Sequence, residues 1–535
     1  MSINAISTGL RSTAWFPGIG VRTVALFAGF LALVLRPALF DPDYYWHIET
    51  GRLIVAQHAL PAGDPFSFTR AGAPWVLHEW LFEVLLYGVF ATFGPLGVKL
   101  MSGLLGTAVV GLVYATARKL LGRPAPAAWL ASVLYVALFM FVVPRPQLIT
   151  YVFVSACFYI LACFKYSRET RLLPLLPVIM IFWANFHGGY FLGITLIAVF
   201  CISEWLSLLS TGPSGEERRR LRQLTIIAIV TILASLLNPY FVALWAYPIE
   251  VMTMELTQDI NEWKSTAFSH PLGKLLLLLV AGFCILQIYR TRKPDLTELA
   301  VPGLFIAAGF ASIRHVGLAA LAMTIFAASA LRDGVAIGDR LSAHLGSLLH
   351  FRRRWLRWTE RGKSLGRAER LLNLAVAVTL GVGAIVYYPR AEATESAWVE
   401  RKQPVGAVQF LIDHGIAGRM FNSYGFGGYL IHRLYPQQRV YIDGRADMYG
   451  DEFFREYLEI ARGGRNWSQT FDKYRIDFVV CLSQEKIRQL LLERGDFRLV
   501  FEDAVSSVLV KNDSRFAEIP EVSGHELVSK VPAEP

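Results

Sequence analysis

Long apolar runs broken by short polar ones set the reading of this chain. Runs of about 17–25 residues, each long enough to cross a hydrocarbon core as a helix, recur from Val21 to Tyr388. The first, Val21–Phe40, ends abruptly in Asp41-Pro42-Asp43-Tyr44-Tyr45-Trp46-His47 and opens a polar loop, 41–79. The next apolar segment, Trp80–Phe93, is short, carries Glu83 and ends at Gly94-Pro95, which predicts an interfacial or re-entrant piece. Leaving it out, the pattern predicts an α-helical polytopic membrane protein with about eleven transmembrane helices in residues 22–388.

Beyond Tyr388 the periodicity changes. Residues 389–513 predict a small C-terminal α/β soluble domain. Helical patterns cover Pro404–His414, Asp451–Ala461 and Glu485–Glu493. Strand patterns cover Arg419–Asn422, Arg439–Asp443 and Phe478–Leu482, and Phe497–Phe501 pairs with Ser506–Lys511 as a hairpin. The last stretch, 514–535, predicts a disordered tail.

Composition agrees with a membrane chain: 54% hydrophobic, 13% aromatic and 18% charged, where soluble domains run nearer about a quarter charged. The net charge of +10 matters through its placement. Basic clusters follow alternate apolar runs: Arg118-Lys119 with Arg123, Lys165 to Arg171, Arg218 to Arg222, Arg290 to Lys293, and a linker, 332–370, dense in arginine. Under the positive-inside rule these connections and the segment 1–21 are cytoplasmic, and the C-terminal domain lies outside. Basic residues used in this way argue against a nucleic-acid partner. The five cysteines are scattered and give no disulfide framework.

The same topology collects the unusual polar residues on the outer face. The first loop carries Asp41, Asp43, His47, Asp64, His78 and Glu79. Later outer loops carry Arg145, Asn185 with His187, Glu262, and Arg314 with His315. The tail adds Asn422, Tyr424, Asp443 and Arg445. A D-x-D pair, Asp41 and Asp43, can hold a divalent cation such as Mg or Mn through hard oxygens. A carboxylate can instead deprotonate an acceptor hydroxyl. Arginines and a histidine, here Arg314, Arg145 and His315, can hold a donor phosphate. The remaining residues, His47, Asp64, His78, Glu79, Asn185, His187, Glu262, Asn422, Tyr424, Asp443 and Arg445, are the expected substrate contacts. No Walker A or H-E-x-x-H motif is present.

A helix-end Asp motif in the first outer loop, many spans and an outer C-terminal α/β domain resemble the membrane glycosyltransferase C superfamily. That superfamily includes protein O-mannosyltransferases, aminoarabinose transferases and oligosaccharyltransferases. Asp41-Pro42-Asp43 is similar to its acidic first-loop motif, whose carboxylate serves as base or metal ligand. Arg314 is similar to its lipid-phosphate arginine. Ser423, Gly428 and Tyr429 match the S-W-W-D-Y-G-Y stretch of oligosaccharyltransferases; the W-W-D part that reads the sequon is missing. The chain also resembles a group of bacterial membrane proteins with D-x-x-W-H-I and W-x-x-H-E-W first loops, here Asp43–Ile48 and Trp75–Trp80. The resemblance implies sugar transfer from a polyprenyl-phosphate-linked donor to a lipid, glycan or protein acceptor. A transporter or flippase of lipid-linked saccharide is the alternative; a non-catalytic assembly protein is the third reading.

Overall fold

The computed structural model describes residues 21–35, 41, 43–209, 214–258, 260, 262–333 and 367–520. The expectations for 1–20, for most of the basic linker (334–366) and for 521–535 lie outside the described residues.

The membrane part is built from α1 (Val21–Val34), α2 (Asp43–Gln57), α3 (Trp80–Leu121), α4 (Pro124–Leu138), α5 (Gln147–Ser167) and α6 (Leu175–Phe186), followed by α7 (Tyr190–Leu209), α8 (Gly215–Ala234), α9 (Ala243–Thr253), α10 (Pro271–Tyr289), α11 (Leu296–Ala311) and α12 (Val316–Arg332). Among the described residues six helices are long and apolar enough to cross a membrane, and four shorter apolar helices accompany them. The chain is a multi-pass membrane protein.

Two sequence features shape this bundle. Gly94, at φ 62°, breaks α3 just before Pro95, at the boundary the sequence marks. The left-handed backbone suits glycine, and Pro95 has no N–H to continue the ladder. The small residues of α12 make it the buried centre: Val316 to Ala330 are all buried, and α3, α4, α10 and α11 pack around it. Large apolar side chains point outward instead, among them Leu278 and Ile288 on α10 and Ile226 and Leu233 on α8, as a lipid-facing surface requires. At the end of the bundle far from α2, Arg290 binds Glu298 at 2.7 Å and also Asp333, with both the Arg290 and Glu298 side chains fully buried.

The C-terminal part follows a long helix, Arg367–Glu400. It contains a four-stranded sheet in the order β1-β2-β4-β3. Strand β1 (Met420–Asn422) runs parallel to β2 (Phe478–Leu482). Strand β4 (Ser506–Lys511) runs antiparallel to both β2 and β3 (Phe497–Glu502). Helices Val405–Asp413, Ala446–Ala461 and Lys486–Arg494 fall close to the predicted ones.

Three details differ from the sequence expectation. Residues 439–443 are not a ladder strand: Val440 makes a single bridge to Ser67 in the first loop, and Asn422 Oδ1 accepts the Tyr441 N–H at 2.8 Å. The backbone groups are taken by the loop and by a side chain, so no sheet neighbour is needed. Helices Gly427–Leu434 and Trp467–Lys473 were not foreseen. The predicted disorder from Ser514 begins too early, because Ser514–Phe516 forms a 3-10 turn, Phe516 is buried, and Arg498 bonds its carbonyl.

One hydrophobic core joins the first loop to the C-terminal domain. Trp46, Phe66, Trp75 and Leu77 pack with Val408, Tyr429, Val440 and Val508. Tyr45 sits edge-on to Tyr429 at 5.1 Å. This shared core packs the C-terminal part against the first loop.

Candidate active site

Asp41 starts the local structure. Its Oδ1 accepts the Asp43 N–H at 3.0 Å, and Asp43 occupies the first turn of α2. Carboxylates here satisfy orphan N–H groups and complement the helix dipole. Both then face Arg145, which lies in the turn before α5. Its Nη2 donates to Asp41 Oδ1 at 2.7 Å and to Asp43 Oδ2 at 2.9 Å, while Nη1 donates to Glu262 Oε2 at 2.5 Å.

Trp46 Nε1–H donates to Asp43 Oδ1 at 3.1 Å. The backbone of Gly444, from the C-terminal domain, lies against that same oxygen; a Cβ at 444 would collide with it. Tyr424 donates its hydroxyl to the Gly444 carbonyl at 3.3 Å. Burial first, and then the charge of Glu262, push the Asp43 carboxyl up to about 8, against the opposing pull of the Trp46 N–H. One guanidinium serves three carboxylates, so the group carries excess negative charge.

Arg314 comes from the turn between α11 and α12. Its N–H donates to the Glu262 carbonyl at 3.2 Å, and Ser312 Oγ donates to the same carbonyl at 2.9 Å. The Arg314 guanidinium lies over the Trp263 ring at 4.3 Å. Among the described residues it has no carboxylate partner, although it sits close enough to feel the charges of Glu262, Arg145 and Glu79. A cation held by stacking keeps its N–H groups available to an anion.

Next to this lies a histidine cluster around Glu79. His78 Nε2 is 3.2 Å from Glu79, His187 Nε2 3.5 Å and His47 Nε2 3.8 Å. His47 Nδ1 meets Glu83 at 3.1 Å, and His187 Nδ1 meets Thr150 Oγ1 at 2.7 Å. His78 also stacks on Tyr247 at 4.3 Å, and Tyr247 donates to Asp447 at 2.8 Å. Burial lowers His47 to about 4 and His187 to about 3, so both are neutral near pH 7. Burial also opposes charge on His78 and Glu79, but each outweighs it for the other: His78 is raised and Glu79 is lowered to about 2. Each group thus favours the charged form of the other.

Several predicted substrate contacts are instead parts of the frame. Arg445 binds Asp443 at 2.6 Å and Asp64 at 2.8 Å, and its guanidinium lies over Trp75 at 4.5 Å and Phe66 at 5.0 Å. Asp64 also accepts the Phe66 and Ser67 N–H groups, and Tyr449 donates to Asp443 at 2.7 Å. These carboxylates are buried and already committed, so they clamp the domain to the loop. Asn185 accepts from Trp80 and donates to the carbonyls of Ile181 and Leu237. Asn422 is fully buried and ties Ile442 and Tyr441 to β1. His315 neighbours Arg314 in the turn Ile313–His315, and among the described residues its ring makes no hydrogen bond.

The site thus brings together Asp41, Asp43, Arg145, Glu262, Arg314, His47, His78, Glu79, His187 and Tyr424. Sequence reasoning missed Tyr247, which sits in the apolar pattern of α9 and carries no signal there. It also missed the role of Glu83, which lies one helical turn past Glu79 and so shares its face.

A divalent cation held between Asp41 and Asp43 does not fit. The Arg145 guanidinium stands between the carboxylates that the ion would bridge. Among the described residues no group of three or more His, Cys, Asp or Glu is placed to hold a metal.

No family model and no curated protein matches this sequence. The structure, however, is similar to solved membrane enzymes. One is the archaeal oligosaccharyltransferase AglB from Archaeoglobus fulgidus, solved with an inhibitory peptide and a dolichol-phosphate: TM-score 0.55, 12% identity, 86% of this chain and 69% of that one covered. Another is ArnT from Cupriavidus metallidurans, solved bound to undecaprenyl phosphate: TM-score 0.53, 14% identity, 94% of this chain and 98% of that one. The chain has the fold of the C-superfamily membrane glycosyltransferases.

Proposed function

We propose that the chain transfers a sugar from a polyprenyl-phosphate-linked donor to a lipid, glycan or protein acceptor at the outer face of a bacterial inner membrane. Asp43 is the base. As the acceptor hydroxyl attacks the anomeric carbon, Asp43 takes its proton; the bond from that carbon to the phosphate oxygen breaks, and the polyprenyl phosphate leaves with the electron pair. Arg314 receives the phosphate, and Arg145 lies close enough to share its charge. Eleven spans, an inside N-terminus and an outside C-terminal domain complete the reading.

The observation that carries it is the Arg314 guanidinium. It is stacked on Trp263, free of carboxylate partners among the described residues, and near the carboxylate cluster of Asp43. An arginine so placed matches an anion of a membrane-anchored donor. The direct test is binding of undecaprenyl phosphate to the purified protein. Arg314→Ala is expected to weaken binding by about 10- to 100-fold, the loss of one or two charge-assisted hydrogen bonds. Unchanged binding would remove the donor site. The flippase reading predicts instead a continuous polar route through the bundle.

A further inference from the structure

The arrangement around Arg145 asks why one guanidinium should hold three carboxylates. Asp41 and Asp43 come from the start of α2, and Glu262 comes from the loop before α10. All three aim oxygens at the same side chain, at 2.7, 2.9 and 2.5 Å. Hard oxygens converging from separate elements are what a divalent cation uses. Here the converging oxygens meet N–H donors, and their lone pairs are spent on a planar fork. The backbone of Gly444 closes over Asp43 on one side, and Trp46 Nε1–H takes a further lone pair of the same carboxylate. Little coordination capacity is left for an ion.

We propose that Arg145 is a built-in cation, occupying the place of a divalent metal between Asp41, Asp43 and Glu262 and making the centre independent of metal. Its charge is covalently held in the turn before α5, so it is not lost on chelation. The cation half of this inference stands on the geometry alone; its use in assisting departure of a phosphate rests on the glycosyl-transfer reading. A second consequence follows from charge balance. Removing the guanidinium leaves three clustered carboxylates, and clustered carboxylates bind divalent cations.

The test is a Mn2+ titration of the full-length protein in nanodiscs, read by the spectrum of free Mn2+. Wild type is expected to show no saturable site that depends on Asp43. Arg145→Met, checked for monodispersity, is expected to gain one site bound at least about tenfold more tightly than any wild-type binding. That site should vanish in Arg145→Met with Asp43→Asn. A wild-type Mn2+ site abolished by Asp41→Asn or Asp43→Asn would overturn the proposal, and so would a monodisperse Arg145→Met that gains nothing. If Arg145→Met does not purify as a folded protein, the wild-type titration alone decides. Undecaprenyl phosphate binding in the same nanodiscs separates the two readings: its absence would sink the glycosyltransferase assignment and leave the cation result standing.

Discussion

Arg445 of the C-terminal domain reaches Asp64 of the first loop at 2.8 Å, with both side chains almost wholly out of contact with solvent. It holds Asp443 in the same grip and is sandwiched against Trp75 and Phe66. The clamp fixes how the domain sits, and with it Gly444, which touches Asp43. Residues far apart in sequence thereby set the environment of the proposed base.

Removing one partner of this buried network leaves charge uncompensated. Arg445→Met is expected to cost about 3–5 kcal/mol of stability. It should appear as a marked drop in melting temperature in detergent and as new protease cleavage between residues 389 and 520. A melting temperature equal to wild type would show that the clamp does not hold the domain.

Asp43→Asn keeps the shape of the side chain and loses the base. Transfer is expected to fall by about 10²- to 10⁴-fold with folding intact. Because Asp43 sits at about 8, the wild-type rate should climb between pH 7 and about 9 as the carboxyl ionises. For stability the sign is opposite. The unfolded carboxyl gives up its proton near about 3.8, while the folded one keeps it to about 8, so this group favours folding less as pH rises through that window. A transfer rate flat from pH 6 to 9 would exclude Asp43 as the titrating base.

The histidines predict an acid limit. His47 and His187, at about 4 and about 3, are held neutral in the folded chain, while unfolded histidine titrates near about 6.5. Their contribution is present above about 6.5 and is lost as pH falls from there toward their folded values. Glu79, lowered to about 2, contributes above its unfolded value near 4.5 and weakens as pH falls toward about 2. His78 runs the other way: raised, it stabilises below about 6.5 and less as pH climbs through its folded value. Melting temperature should therefore fall on acidification from pH 6.5 to 4, and His187→Gln should flatten that slope. An unchanged slope in His187→Gln would count against the assignment.

Topology can be read directly. A reporter fused after Tyr388 is expected to register outside the cytoplasm. A cytoplasmic signal there would put the acid–arginine cluster on the wrong side for the proposed donor.

Class and parts were legible in the chain itself. Apolar runs long enough to span and the Gly94-Pro95 break each rest on local physics, because hydropathy, φ and hydrogen-bonding capacity belong to single residues and their neighbours; the boundary expected after Tyr388 instead lies inside the helix Arg367–Glu400. Strands β2, β3 and β4 were legible for the same reason. The acidic first loop marked Asp41 and Asp43, since paired carboxylates at the end of an apolar helix need compensation. What compensates them was not legible: Arg145 and Glu262 are distant in sequence, and their choice of partner depends on how α2, α5 and the loop before α10 pack. Tertiary structure alone also separated Asp64, Asp443 and Arg445, which hold the domain in place, from Asp43 and Arg314, which face the proposed chemistry. In the sequence every one of these is a polar residue outside the apolar runs, and only burial and partner geometry, which are long-range properties of the fold, decide between a clamp and a site.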